Sequence, residues 1–303
     1  MSGVRRIPVE TPAGTFEVWT RRAGAHPTVK ILVLHGGPGA THEYLLDLEE
    51  PLVSAGYEVY FYDQLGSHFS DRPEDGSLWE IDRFVDEVEQ VRTALGLGPD
   101  DFVLYGQSWG GLLAIEYALA HPDALKGVVV SNMMSSVPAY NEYAERVLMP
   151  AMDQDALAKI QAMEADGRTD DPAYEELLNE HHNVHHLLRR PVEEWPAHVV
   201  RSFEQINHDI YVPLQGPSEL RSVGKLEHWD RSGDLHTIGV PTLVMAGAHD
   251  TMDPEHLRWM AEQLPRGSYH LSPEGSHLAM VDDRDAYVAG LLGWLRGLDG
   301  GDT

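Results

Sequence analysis

The chain has no cysteine, which excludes disulfides, thiolate nucleophiles and cysteine-ligated metals together. Cations are scarce as well: 22 Lys and Arg stand against 49 Asp and Glu, a formal charge of −27. A field of that sign repels phosphate backbones and anionic lipid, so neither nucleic acid nor a membrane is an expected partner, while a small cationic substrate is mildly attracted. Long apolar runs are missing too. Ile31 to Leu34 and Gly127 to Val130, among the longest, are of strand length and far short of the roughly 20 residues a membrane helix needs. No apolar stretch follows Arg5 and Arg6, which predicts no secretion signal and a cytoplasmic protein.

What is present suffices for a large core. The chain has 303 residues, 42% of them hydrophobic, enough for one large α/β domain or two smaller ones. The most informative stretch is Phe102-Val103-Leu104-Tyr105-Gly106-Gln107-Ser108-Trp109-Gly110-Gly111, followed by the helical pattern Leu112 to Leu119. An apolar β-prone run meets a helix at one serine, the sequence form of a nucleophile elbow. Gly106 and Gly110 stand two residues either side of Ser108, where side chains would collide as strand and helix close around a strained turn. Gly-x-Ser-x-Gly alone is a weak signal in a chain with 28 glycines, and an ordinary glycine-rich turn reads the same. The weight comes from its flanks and from the partners found elsewhere.

In chain order, Val4 to Glu10 and Thr15 to Arg21 read as an edge hairpin, and Lys30 to Leu34 as a strand buried on both faces. That strand ends in His35-Gly36-Gly37-Pro38-Gly39, whose glycines leave backbone N–H groups uncovered where open α/β sheets bind ligands. An oxyanion hole needs such groups, one from this early loop and one from the residue after the nucleophile, here Trp109. The spacing predicts a helix over Glu43 to Ser54, a strand over Tyr57 to Tyr62, a helix over Trp79 to Leu95 and a strand over Leu125 to Val130. From about Met133 to Gly233 this alternation gives way to helical segments, Tyr140 to Met152, Asp155 to Ala165, Pro172 to Leu188 and Val192 to His208. The pattern predicts a helical cap at 133–233 inserted between core segments 1–132 and 234–303. In the second core segment Thr242 to Ala246 and Ser268 to Leu271 read as strands, Pro254 to Leu264 and Asp283 to Leu298 as helices, and Gly300 to Thr303 as a frayed end.

The strand Thr242 to Ala246 is followed by two acids. Asp253 precedes Pro254 and reads as a helix N-cap, which leaves Asp250 as the acid in the order serine, acid, histidine. Among 17 histidines, His270 falls inside a strand, whereas His277 lies in the loop before the last helix and is the expected base. His181, His182, His185 and His186 form two i, i+4 pairs of a kind that binds zinc. Neither a fixed carboxylate nor an open pocket is evident in that pattern, so a solvated or lid-packing helix is the preferred reading.

Taken together, His35 to Gly39, Asp63-Gln64-x-Gly, Gly106 to Gly111, Ser135-Ser136-Val137-Pro138 and Gly275-Ser276-His277-Leu278 resemble the proline iminopeptidases. These are serine aminopeptidases of the α/β-hydrolase superfamily, and the tricorn-interacting aminopeptidase is among them. The resemblance covers nearly the whole chain. It implies an α/β-hydrolase fold, a mostly parallel sheet with helices on both faces and an inserted helical cap. It also implies Ser108 as nucleophile with Asp250 and His277, the amides of Gly37 and Trp109 as oxyanion hole, and no cofactor. Gln215-Gly216-Pro217-Ser218-Glu219 matches the family's cap motif, and the resemblance implies Glu219 as the ligand of the substrate's amine. Two positions depart from the family pattern. Thr251 stands where some members carry a second amine-binding glutamate, and His68 where many have glycine.

The activity implied is release of an N-terminal residue, proline or another small apolar amino acid, from short peptides or amino-acid amides with a free amine. An amino-acid amidase or esterase would use the same site. A non-catalytic binding protein of this fold would usually lack a triad member, and an aspartate nucleophile of the haloalkane-dehalogenase kind is absent at position 108. No feature of the sequence speaks to oligomeric state.

Overall fold

A computed structural model of the chain describes residues 3–24 and 29–299; the expected frayed end, Gly300 to Thr303, lies outside them. The strands are β1 (Gly3–Thr11), β2 (Gly14–Ala23), β3 (Lys30–Leu34), β4 (Glu58–Asp63), β5 (Phe102–Gln107), β6 (Gly127–Ser131), β7 (Thr242–Gly247) and β8 (Gly267–Ser272). They form one sheet in the order β1-β2-β4-β3-β5-β6-β7-β8. The β1–β2 hairpin lies at one edge and β2 runs antiparallel to β4, whereas every later neighbour pair is parallel.

Alternation along the strands divides the core. Leu32, Leu34, Leu104, Val128, Val130 and Val244 face one side and pack with helices Ile81–Leu95, Trp109–Ala120 and Pro254–Gln263. Ile31, Val33, Val103, Val129, Leu243 and Met245 face the other, against Leu45, Leu48 and the final helix, Arg284–Asp299. Because both faces are covered, the central strands read as continuous apolar runs, and that made them legible. Parallel strands also bring their carboxyl ends to one edge. There lie His35 to Gly39, Ser108, Asn132, Asp250 and His277, each in a segment that follows a strand.

Between β6 and β7 the named elements are helical. A separate apolar cluster fills this region, with Leu148, Leu157, Ile160, Met163, Tyr174 and Leu220 among its buried members. Two expectations need correction. Glu43 to Ser54 is not one helix: His42–Leu48 is 3-10 and only Glu49–Ser54 is α, because the His42 backbone N–H and ring are both tied to Asp63. Nor does Val192 to His208 form one helix. Pro196 restricts the chain before helix Ala197–Glu204, and Asn207 caps a new helix, His208–Leu214, by accepting from Asp209 N. No helix of the described residues is long and apolar enough to cross a membrane.

Candidate active site

The elbow is built as its glycines require. Ser108 takes φ 55° and ψ −125°, a strained backbone for a residue with a side chain. Neighbours impose it. A Cβ at Gly106 would run into the Gly110 carbonyl, and one at Gly110 into the Leu34 carbonyl, so strand β5, its helix and strand β3 close together only with glycine at both positions. Ser108 N–H donates to Ser131 O at 3.0 Å, which ties the turn to β6.

Asp250 and His277 meet directly. The His277 Nδ1 to Asp250 Oδ1 distance is 2.7 Å, and both side chains are buried. The same carboxylate oxygen accepts from Met252 N–H at 3.1 Å and from the Thr251 hydroxyl at 3.2 Å. Burial alone would lower the His277 pKa; the Asp250 charge and hydrogen bond, with Glu219 and Asp282 adding, outweigh it and hold the pKa above the ordinary value. Asp253, the rejected alternative, caps helix Pro254–Gln263 by accepting from Glu255 N–H at 2.9 Å.

On the opposite side lies the early glycine loop. Gly36 N–H donates to Tyr44 OH at 2.6 Å, and Tyr44 OH donates to Gln107 Oε1 at 2.5 Å. Gln107 Nε2 then donates to the His277 carbonyl at 3.0 Å. The residue before Ser108 therefore couples the glycine loop to the histidine loop. Gly37 has φ 111° and its N–H meets no acceptor among the described residues. Trp109 opens its helix, where the backbone N–H has no intrahelical partner. Its indole is fixed by Nε1–H donating to Gln64 Oε1 at 2.8 Å, and Gln64 in turn donates to His35 O.

Gly37, Ser108, Trp109 and Glu219 line one narrow cavity, whose apolar wall includes Leu112, Val137, Leu226 and Met252. Glu219 reaches it from the segment between helices His208–Leu214 and Lys225–His228, the latter 3-10, with the next residue, Leu220, buried in the helical region's own cluster. Tyr140 OH donates to the Glu219 backbone carbonyl and Tyr211 OH to its Oε1, the latter at 2.7 Å. No described cation forms an ion pair with this carboxylate. Burial raises its pKa, and the His277 charge and the Tyr211 hydrogen bond only partly offset that.

Comparison with known proteins bears on the family and the fold. The sequence model of the alpha/beta hydrolase fold matches residues 30–284. A proline iminopeptidase of Flavobacterium johnsoniae is 46% identical over 94% of this chain and 96% of its own length. The chain belongs to the proline iminopeptidase family. A second member, from Elizabethkingia meningoseptica, is 45% identical over 97% of this chain and 98% of its own. Among solved structures, the proline iminopeptidase of Mycobacterium smegmatis has a TM-score of 0.86 at 28% identity, covering 99% of this chain and 100% of that one. VinJ has a TM-score of 0.88 at 29% identity, over 97% and 99%.

Within this proline iminopeptidase fold the four cap histidines differ: His182 is buried, His181 and His186 are partly buried and His185 is exposed. His182 is fully buried with neither ring nitrogen hydrogen-bonded, 5.5 Å centroid to centroid from His186, and burial lowers its pKa to about 3. Among the described residues no group of three or more His, Asp or Glu is placed to hold a metal. His186 instead joins the cap to the site: its carbonyl accepts from His277 N–H at 2.9 Å and its Nδ1 lies 3.0 Å from His249 O. His68 is exposed, edge-on to Phe69 at 4.8 Å. Sequence reasoning passed over Gln107, Tyr44, Tyr140 and Tyr211. Only Gln107 had a local signal, as a polar residue closing an apolar strand.

Proposed function

We propose that this chain is a serine exopeptidase that releases an N-terminal proline, or another small apolar residue, from short peptides through an acyl-enzyme. The observation that carries the reading is Glu219, a carboxylate with raised pKa and no ion-pair partner among the described residues, in the wall of the cavity that Ser108 also lines. A buried carboxylate without a counter-charge is costly, and the ammonium of an unblocked N-terminal residue would supply that charge. Segment 133–233 then acts as a cap that measures the substrate from its amine, so that only the first peptide carbonyl reaches Ser108.

In this mechanism His277 removes the Ser108 proton as the hydroxyl attacks, and Asp250 orients and stabilises the imidazolium. The Gly37 and Trp109 amides, with no acceptor among the described residues, take the oxyanion. His277 returns the proton to the departing amine. A water deprotonated by the same histidine then cleaves the ester, releasing the amino acid and restoring the Ser108 hydroxyl. The strained elbow supports this assignment, since it presents the hydroxyl with little contribution to packing. The proline iminopeptidases named above are peptidases by name, so the amidase or esterase reading is not favoured.

The test is Ser108→Ala. Turnover of prolyl-naphthylamide should fall at least ~10⁴-fold in kcat, the order lost with a catalytic nucleophile, while the melting temperature stays near wild type. A variant within tenfold of wild type places the nucleophile elsewhere.

A further inference from the structure

Asn132 is the first residue after β6, whose carboxyl end lies beside that of β7. It is fully buried and takes φ 51°, a left-handed conformation that few residues other than glycine and asparagine accept readily. Its Nδ2 donates to Asp250 Oδ2 at 2.6 Å and to Ser276 O at 3.1 Å. A carboxylate and a carbonyl, both acceptors, meet this end of the amide, so this end is the NH₂ group. The other end accepts from Ser131 Oγ at 2.7 Å. That hydroxyl also lies 2.7 Å from Tyr287 OH, which is 2.5 Å from Tyr105 OH. The amide is thus clamped at both ends by buried groups.

The two oxygens of Asp250 are held differently. Oδ1 meets His277 Nδ1, Met252 N–H and the Thr251 hydroxyl. Oδ2 meets Asn132 and no other described donor. We infer that Asn132 is a positioning residue, which holds Asp250 turned so that Oδ1 faces His277; the inference rests on the triad proposed above. Nothing in the motifs read from the sequence marks this residue, since the contact joins positions 118 apart in the chain.

Without the Asn132 donor, a buried carboxylate oxygen has no partner, and the Asp250–His277 pair binds its proton more tightly. Active enzyme requires the pair unprotonated, so the acid limb of kcat/KM moves to higher pH. The other groups facing the pair are Glu219, His182 and His186 of the cap, Tyr140 and Tyr143 of helix Val137–Tyr143, Asp282 and His249. They are the same in every variant compared.

The experiment measures kcat, KM, their pH profiles and melting temperature with prolyl-naphthylamide for wild type, Asn132→Gly, Asn132→Asp and Asp250→Asn. Glycine removes the side chain without straining the positive φ. Asn132→Gly should lose about tenfold in kcat with KM within about twofold, as expected when one hydrogen bond to a charged group is lost at the reacting centre. Its acid limb should rise by about half a pH unit. Asn132→Asp keeps the shape and the acceptor for Ser131, but sets a second carboxylate against Asp250. Two such groups must share a proton, so its acid limb should rise further. A lower melting temperature with kcat and acid limb unchanged in both Asn132 variants makes Asn132 structural and overturns the inference. If Asp250→Asn is inactive in that experiment, the triad still stands; if Asp250→Asn turns over like wild type, triad and inference fall together.

Discussion

Burial makes the Glu219 carboxylate more easily protonated in the folded chain than in water, and the His277 charge and the Tyr211 hydroxyl only partly offset this. Its pKa is raised on folding. A group raised in this way contributes stability that is fully present below its unfolded pKa, 4.5, and lost as pH rises through the folded value. Glu219→Gln never ionises. The variant should therefore melt higher than wild type at about pH 8, with the difference vanishing near pH 4, as checked by thermal unfolding across that range. Its activity should move the opposite way. Losing the partner of a buried ammonium costs roughly 2 to 4 kcal/mol of transition-state stabilisation, about 30- to 1,000-fold in kcat/KM on prolyl-naphthylamide. p-Nitrophenyl acetate, which has no amine, should be cleaved at nearly the wild-type rate. An equal fall on both substrates would make Glu219 a structural residue.

At the scale of elements, the elbow is the part most dependent on backbone fit. Gly106→Ala would drive a methyl group into the Gly110 carbonyl, between two backbone segments that have no flexible side chain to yield. A loss of about 2 kcal/mol or more is expected, measured by urea unfolding, with activity falling as Ser108 shifts. Wild-type stability would mean that strand and helix do not meet as closely as described. The elements of the sheet were legible because local rules decide them. Continuous apolar runs such as Lys30 to Leu34 are buried on both faces, and Asp253-Pro254 pairs an N-cap with a proline at the first helical position. The helical region was less legible. A break at Gln205 to Asn207 and a helix containing Pro213 are stabilised by distant contacts, such as Asn207 Nδ2 with Gly66 O and Asn207 N–H with Gly39 O. Periodicity carries no trace of them. Likewise the serine, acid and histidine of the proposed triad were singled out by their places after strands, whereas Gln107 and Asn132 bond to residues 170 and 118 positions away.

For the whole molecule, the account is that one edge of a parallel sheet supplies a nucleophile, its base and acid and two amides, while a helical insertion supplies a carboxylate that selects free amines. The surplus of acidic residues suits that choice, since it attracts a cationic N-terminus from a distance. The central claim is therefore that cleavage is gated by a free amine and confined to the first bond. Mass spectrometry of a proline-initiated pentapeptide and its N-acetylated twin, each incubated with the enzyme, tests this most directly. The account predicts free proline and the tetrapeptide from the first, and intact peptide from the second. Cleavage of the acetylated peptide at a comparable rate, or at an internal bond of either, would contradict it.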